Sequence, residues 1–122
     1  MELATEETHA LISASKVDGT SVYGSDGDKI GSVDTLMIDK RGGSVAYAVL
    51  SVGGFLGIGD KHHSVPWTKL KYDENLGGYR LNVTEEQLKS APSFEAREAD
   101  KAFKRDYEER VYSHYDVPPY WI

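Results

Sequence analysis

Val45-Ala46-Tyr47-Ala48-Val49-Leu50-Ser51-Val52 is the stretch on which the fold turns. Its β-branched and aromatic side chains favour an extended strand. A strand sends alternate side chains to opposite faces. One face here carries Val45, Tyr47, Val49 and Ser51; the other carries Ala46, Ala48, Leu50 and Val52. Both are largely apolar, so neither suits open water. One side can fill a barrel. The other must lie under a helix or a second subunit.

Upstream, the longest strand candidate runs from Lys29 to Asp39. Its apolar residues Ile30, Val33, Leu36, Met37 and Ile38 lose strict alternation between Val33 and Leu36. A bulge near Asp34-Thr35 restores a common inward face, and bulges turn the corners of small barrels. Gly31 suits a tight bend in that strand. Downstream come Gly53-Gly54-Phe55-Leu56-Gly57-Ile58-Gly59-Asp60-Lys61, a loop with three large apolar side chains, and strands around His62–Pro66, Leu70–Tyr72 and Tyr79–Val83. Turn signals separate them: Val17-Asp18-Gly19, Ser25-Asp26-Gly27-Asp28, Arg41-Gly42-Gly43 and Asn75-Leu76-Gly77-Gly78. Short strands at this spacing predict an all-β sandwich or barrel.

After Val83 the pattern changes. Thr84-Glu85-Glu86-Gln87 is a capping box that starts a short helix. Ala91-Pro92 ends it, because the residue before proline avoids the helical region. A second helix is expected from Phe94 to about His114, with Ala99, Phe103, Tyr107 and Val111 as one apolar stripe. Asp100–Lys104 and Asp106–Arg110 have the spacing of ion pairs on its wet side. The end, Asp116-Val117-Pro118-Pro119-Tyr120-Trp121-Ile122, cannot be a helix interior and is aromatic enough to dock. The expected plan is a flexible N-terminus at 1–9, a barrel domain at 10–90, and a helical extension with an aromatic tail at 91–122.

Composition narrows the function. A chain of 122 residues makes one domain. Its net charge of −6 disfavours nucleic acid and anionic membrane surfaces as partners. There is no cysteine, hence no disulfide and no thiolate nucleophile or cysteine zinc site. No secretory signal and no run of about 18 apolar residues stands out, so a cytoplasmic location is expected.

The chemical motifs fail one by one. Gly54 and Gly59 have P-loop spacing, but Asp60 precedes Lys61 and His62 follows it, where the motif needs a Lys and then Ser or Thr. His62 and His63 are neighbours that a strand sends to opposite faces, so they chelate poorly together. Asp60 and His62 could share a face, yet zinc wants three or four ligands. No G-x-S-x-G elbow supports a hydrolytic triad. No metal, cofactor or catalytic residue is therefore expected.

From about Ile12 to Val83 the sequence resembles the PRC-barrel family. The matching features run in order: Val22-Tyr23; Asp26-Gly27-Asp28-Lys29-Ile30-Gly31; Val33-Asp34; Leu36-Met37-Ile38-Asp39; Gly43; Ala46-Tyr47-Ala48-Val49-Leu50; Gly53 to Gly59; Lys61; Val65-Pro66-Trp67; and Leu70. The run from Gly53 to Trp67 is similar to the stand-alone bacterial members. Related barrels are the cytoplasmic domain of the photosynthetic reaction centre H subunit and a domain of a ribosome maturation factor. The resemblance implies a six-stranded barrel used as a docking or assembly surface, with no active-site residue to carry over. The expected function is a non-catalytic protein-binding module, homodimeric through the two-sided strand, the loop or the tail. Its expected partner contacts are Phe55, Leu56, Ile58, Tyr47, Trp67, Phe103, Tyr107, Tyr120 and Trp121. The alternative is a small-ligand or metal-binding sensor using the loop 53–63.

Overall fold

The computed structural model describes residues 10–52 and 61–122, save the side chains at positions 96, 101 and 102. Six strands form one sheet: β1 (Ser21–Tyr23), β2 (Lys29–Ile38), β3 (Val45–Val52), β4 (Lys61–Pro66), β5 (Leu70–Asp73) and β6 (Gly78–Leu81). Their order is β4-β3-β2-β1-β6-β5. All neighbours are antiparallel except β1 and β6, which run parallel. The outermost strands, β4 and β5, are joined by a single 3-10 turn, Trp67–Lys69. In a flat six-stranded sheet those strands would lie about 24 Å apart. Four Cα steps reach at most about 15 Å. The sheet must therefore curl, and it forms the half-barrel of an all-β fold.

The curl has local causes. In β2 the register against β3 slips between Val33 and Thr35, so Asp34 has no opposite residue. This is the bulge that the broken alternation of β2 required. Gly31 serves close approach as well: a Cβ there would sit 2.5 Å from the Ser51 carbonyl oxygen on β3. Only glycine lets the two strands come so near.

The inside of the curl is apolar. Val22, Val33, Leu50, Val65 and Leu81 are fully buried and share one cluster. Leu88 joins them from helix α2 (Glu85–Lys89); a first short helix, α1 (Ala14–Val17), adds Val17. The capping box of α2 is complete. Gln87 N donates to Thr84 Oγ1 at 3.1 Å, and Thr84 N donates to Gln87 Oε1 at 2.8 Å.

The expected long helix from Phe94 to His114 is a correction. Phe94 instead pairs with the outer edge of β4. His62 N donates to its carbonyl at 2.8 Å, and Phe94 N donates back to His62 O at 2.9 Å. An exposed edge strand is a template for unwanted pairing, and this bridge blunts it. After a 3-10 turn and α3 (Ala99–Ala102), Lys104 is extended, with φ −85° and ψ 145°. The main helix, α4, is Arg105–Tyr115. It buries Tyr107, Glu108, Val111, Tyr112 and Tyr115, whereas Phe103 of the expected stripe is 48% exposed. The expected Asp106–Arg110 pair is replaced too. Asp106 accepts from Tyr107 N at 2.8 Å, and Arg110 lies over the Tyr107 ring at 5.5 Å. Asp116, left-handed at φ 54°, stops α4, and the tail turns back with Val117 N donating to Tyr112 O at 3.2 Å.

Candidate docking surface

The second face of β3 is covered by the chain's own C-terminal extension. Tyr47 is 2% exposed, and its hydroxyl donates to Glu108 Oε2 on α4 at 2.8 Å. Tyr120 from the tail donates to Glu108 Oε1 at 3.1 Å. Arg105 Nε stands 3.4 Å from Glu108 Oε1, and its guanidinium lies 3.9 Å over the Trp121 ring. Tyr112 donates to the Ala46 carbonyl at 3.1 Å. One buried carboxylate thus collects two phenols and a guanidinium. Burial, then the neighbouring carboxylate, pushes the Tyr47 phenol above its ordinary range, so it stays a hydrogen-bond donor. Burial does the same to Tyr112. The rings of Tyr47, Tyr112, Tyr120 and Trp121 pack edge-on or tilted, with centroids 5.0–6.4 Å apart.

Further along the extension the contact is less complete. The His62 ring stacks on Phe94 at 5.4 Å, and Phe94 meets Tyr107 edge-on at 6.0 Å. His62 Nε2 is 3.9 Å from Asp34 Oδ2, at the bulge. His63 is 1% exposed, and burial lowers its imidazole to about 4, so it is neutral in ordinary buffers. The Tyr115 hydroxyl and His62 Nδ1 are buried without a hydrogen bond among the described residues. Among the described residues no group of three or more His, Cys, Asp or Glu gathers to hold a metal.

Between the tail and the mouth of the half-barrel lies a cleft of about 180 Å³. Val45, Ala46, Trp67, Tyr112, Pro118 and Tyr120 bound it. Trp67 packs its inner side on Tyr79 at 5.4 Å. Ile38 pairs directly with Val45 at the rim and is 53% exposed. A large apolar side chain in water thus stands beside an aromatic hollow, the kind of surface that marks contact sites.

The sequence-predicted contact residues scatter against this geometry. Trp67 and Tyr120 meet in the cleft. Tyr47 and Tyr107 are buried inside the molecule, and Trp121 is half-buried beneath Arg105. Phe103 is exposed between α3 and α4. Phe55, Leu56 and Ile58, with most of the loop 53–63, lie outside the described residues. Sequence reading missed Ile38, Pro118 and Glu108. Ile38 hid inside an apolar run that looked like core. Glu108 could have been found, because positions 108, 112 and 115 share one helical face.

The family model for the PRC-barrel domain matches residues 10–88. The chain belongs to the PRC-barrel family. An uncharacterized protein of Deinococcus radiodurans is 31% identical to it over 93 residues, 76% of this chain and 33% of the relative. The chain thus spans about a third of that relative's length. Within this PRC-barrel, the cleft straddles the end of the family match. Val45, Ala46 and Trp67 belong to the matched part; Tyr112, Pro118 and Tyr120 come from the extension beyond it. Among the described residues, no helix is long and apolar enough to cross a membrane.

Proposed function

We propose that this PRC-barrel is a non-catalytic protein-binding module that assembles with a second copy of itself through the Trp67–Tyr120 cleft. One observation carries the reading. Ile38 projects into solvent immediately beside a hollow lined by Val45, Ala46, Trp67 and Tyr120. A knob next to a hole suits a two-fold contact, in which each knob enters the other copy's hole. Aromatic residues anchored on a rigid scaffold are the usual energetic centre of such contacts. PRC-barrels are generally not catalytic, and the buried carboxylate of Glu108 is already held by Tyr47, Tyr120 and Arg105. The cytoplasm is the proposed place of action, which suits a chain without cysteine.

Sedimentation velocity between about 1 and 100 µM tests this, because self-association depends on concentration. The wild-type chain should shift from monomer to dimer across that range. Ile38→Asp should remain monomeric throughout. A wild-type chain that stays monomeric, or an Ile38→Asp dimer of unchanged affinity, would overturn the reading.

A further inference from the structure

We infer that a second surface, the cleft formed by Lys69, Lys71 and Arg80, receives an acidic extended segment of a partner protein. This goes beyond the self-association proposed above and involves different residues.

The cleft lies between the β1–β2 turn and the β5–β6 hairpin and measures about 410 Å³. Its lining includes three cations and no acid, in a chain whose net charge is −6. Lys71 and Arg80 are directly opposite each other in the β5–β6 ladder. Like charges in that position oppose strand pairing, so the sheet gains nothing internally from this choice. Arg80 is partly compensated by Asp73, whose Oδ2 is 3.3 Å from its guanidinium. The other oxygen of Asp73 is taken by the turn amides of Asn75 and Leu76, at 2.9 and 3.2 Å. Lys69 and Lys71 are exposed and form no ion pair among the described residues. In the β1–β2 turn, Asp26 accepts from Asp28 N at 3.3 Å. Among the described residues, two cations therefore carry no ion pair beside a third, in a chain of net charge −6.

The spacing selects the ligand. Lys71 and Arg80 project from paired strands about 5 Å apart, and Lys69 follows two residues along. Lys69 and Lys71 make a two-charge row along the chain, and Arg80 stands beside it across the ladder. Alternate side chains of an extended peptide lie about 6.6 Å apart on one face, so acids at every second position match this row. Ser25, Thr68 and Asn82 line the same cleft and can hydrogen-bond the peptide backbone. Nucleic acid is disfavoured because its affinity grows with many phosphate contacts, and this patch is small on an anionic chain.

The test is an NMR titration of the 15N-labelled chain with an acetylated peptide of alternating glutamate and serine. Saturable shifts are expected at the amides of Ser25, Thr68, Lys69, Lys71, Arg80 and Asn82. The affinity should fall as salt is raised, as for any exposed charge contact. The same peptide with glutamine in place of glutamate should cause no shifts. Lys69→Glu combined with Lys71→Glu changes only exposed side chains and should weaken binding about tenfold or more. Lys69→Gln with Lys71→Gln should weaken it less. Three results would overturn the inference: no saturable shifts with the acidic peptide, equal affinity in the charge-reversed chain, or tighter binding of inorganic phosphate or a single-stranded oligonucleotide at the same amides.

Discussion

The two faces of β3 were built by different chemistry. On the side packed with Val33 and Val65, Leu50 is fully buried between Val33 and the neutral imidazole of His63, its direct partners on β2 and β4. On the side under α4, Tyr47 is buried too, but among phenols, a carboxylate and a guanidinium. The first face gains from removing carbon from water, a non-directional effect that any close-packed arrangement supplies. The second depends on donors meeting acceptors at fixed places. The barrel is therefore secured by volume, and the extension by particular partners. The family match ends near α2, and the extension beyond it adds Phe94, Val111 and three tyrosines to the core cluster.

Leu50→Ala should show the largest effect, because it opens a cavity on the barrel side. A loss of about 2–5 kcal/mol is expected, read as a fall in the urea midpoint. If it cost less than Glu108→Ala, the division between the two layers would be wrong.

Acid should act through His63. Its imidazole is lowered from 6.5 to about 4 by burial, so the unfolded chain binds the proton more readily. Stability is then full above pH 6.5 and falls as the pH drops toward 4, by up to about 3 kcal/mol. His63→Leu should flatten that part of the urea-midpoint profile. An unchanged acid slope in the variant would assign the loss to other groups.

Glu108→Ala removes the acceptor shared by Tyr47 and Tyr120. It should cost about 2 kcal/mol and raise hydrogen exchange in α4 more than in β2. Equal exchange in both elements would mean that the extension and the barrel open as one unit. Tyr47→Phe keeps the ring and loses one charged hydrogen bond, for about 1–2 kcal/mol.

The smallest effect on stability is expected from Ile38→Asp. The side chain is exposed, so folding should change by no more than about 0.5 kcal/mol while self-association disappears.

Much of this was legible beforehand, for reasons specific to each element. The two-sided apolar pattern of Val45–Val52 required a cover on both faces. The break in alternation at Asp34 located the bulge, and Thr84 with Gln87 located α2. Local signals were enough there because each obeys a short-range rule. The extension was read less well. Its residues from Phe94 to Lys104 have helical spacing, but Phe94 was taken by the free edge of β4, a non-local contact that periodicity does not encode. The cleft was half legible. Trp67 and Tyr120 stood out as aromatics, whereas their meeting with Ile38 depends on how the tail turns at Asp116, where a non-glycine residue adopts a left-handed conformation.

The most direct measurement is an isotope-filtered NOE spectrum on a mixture of labelled and unlabelled chains at dimer-forming concentration. A two-fold contact through the cleft predicts intermolecular contacts from the Ile38 methyls to the rings of Trp67 and Tyr120. Intermolecular contacts that leave out Ile38, Trp67 and Tyr120, or none at all, would contradict it.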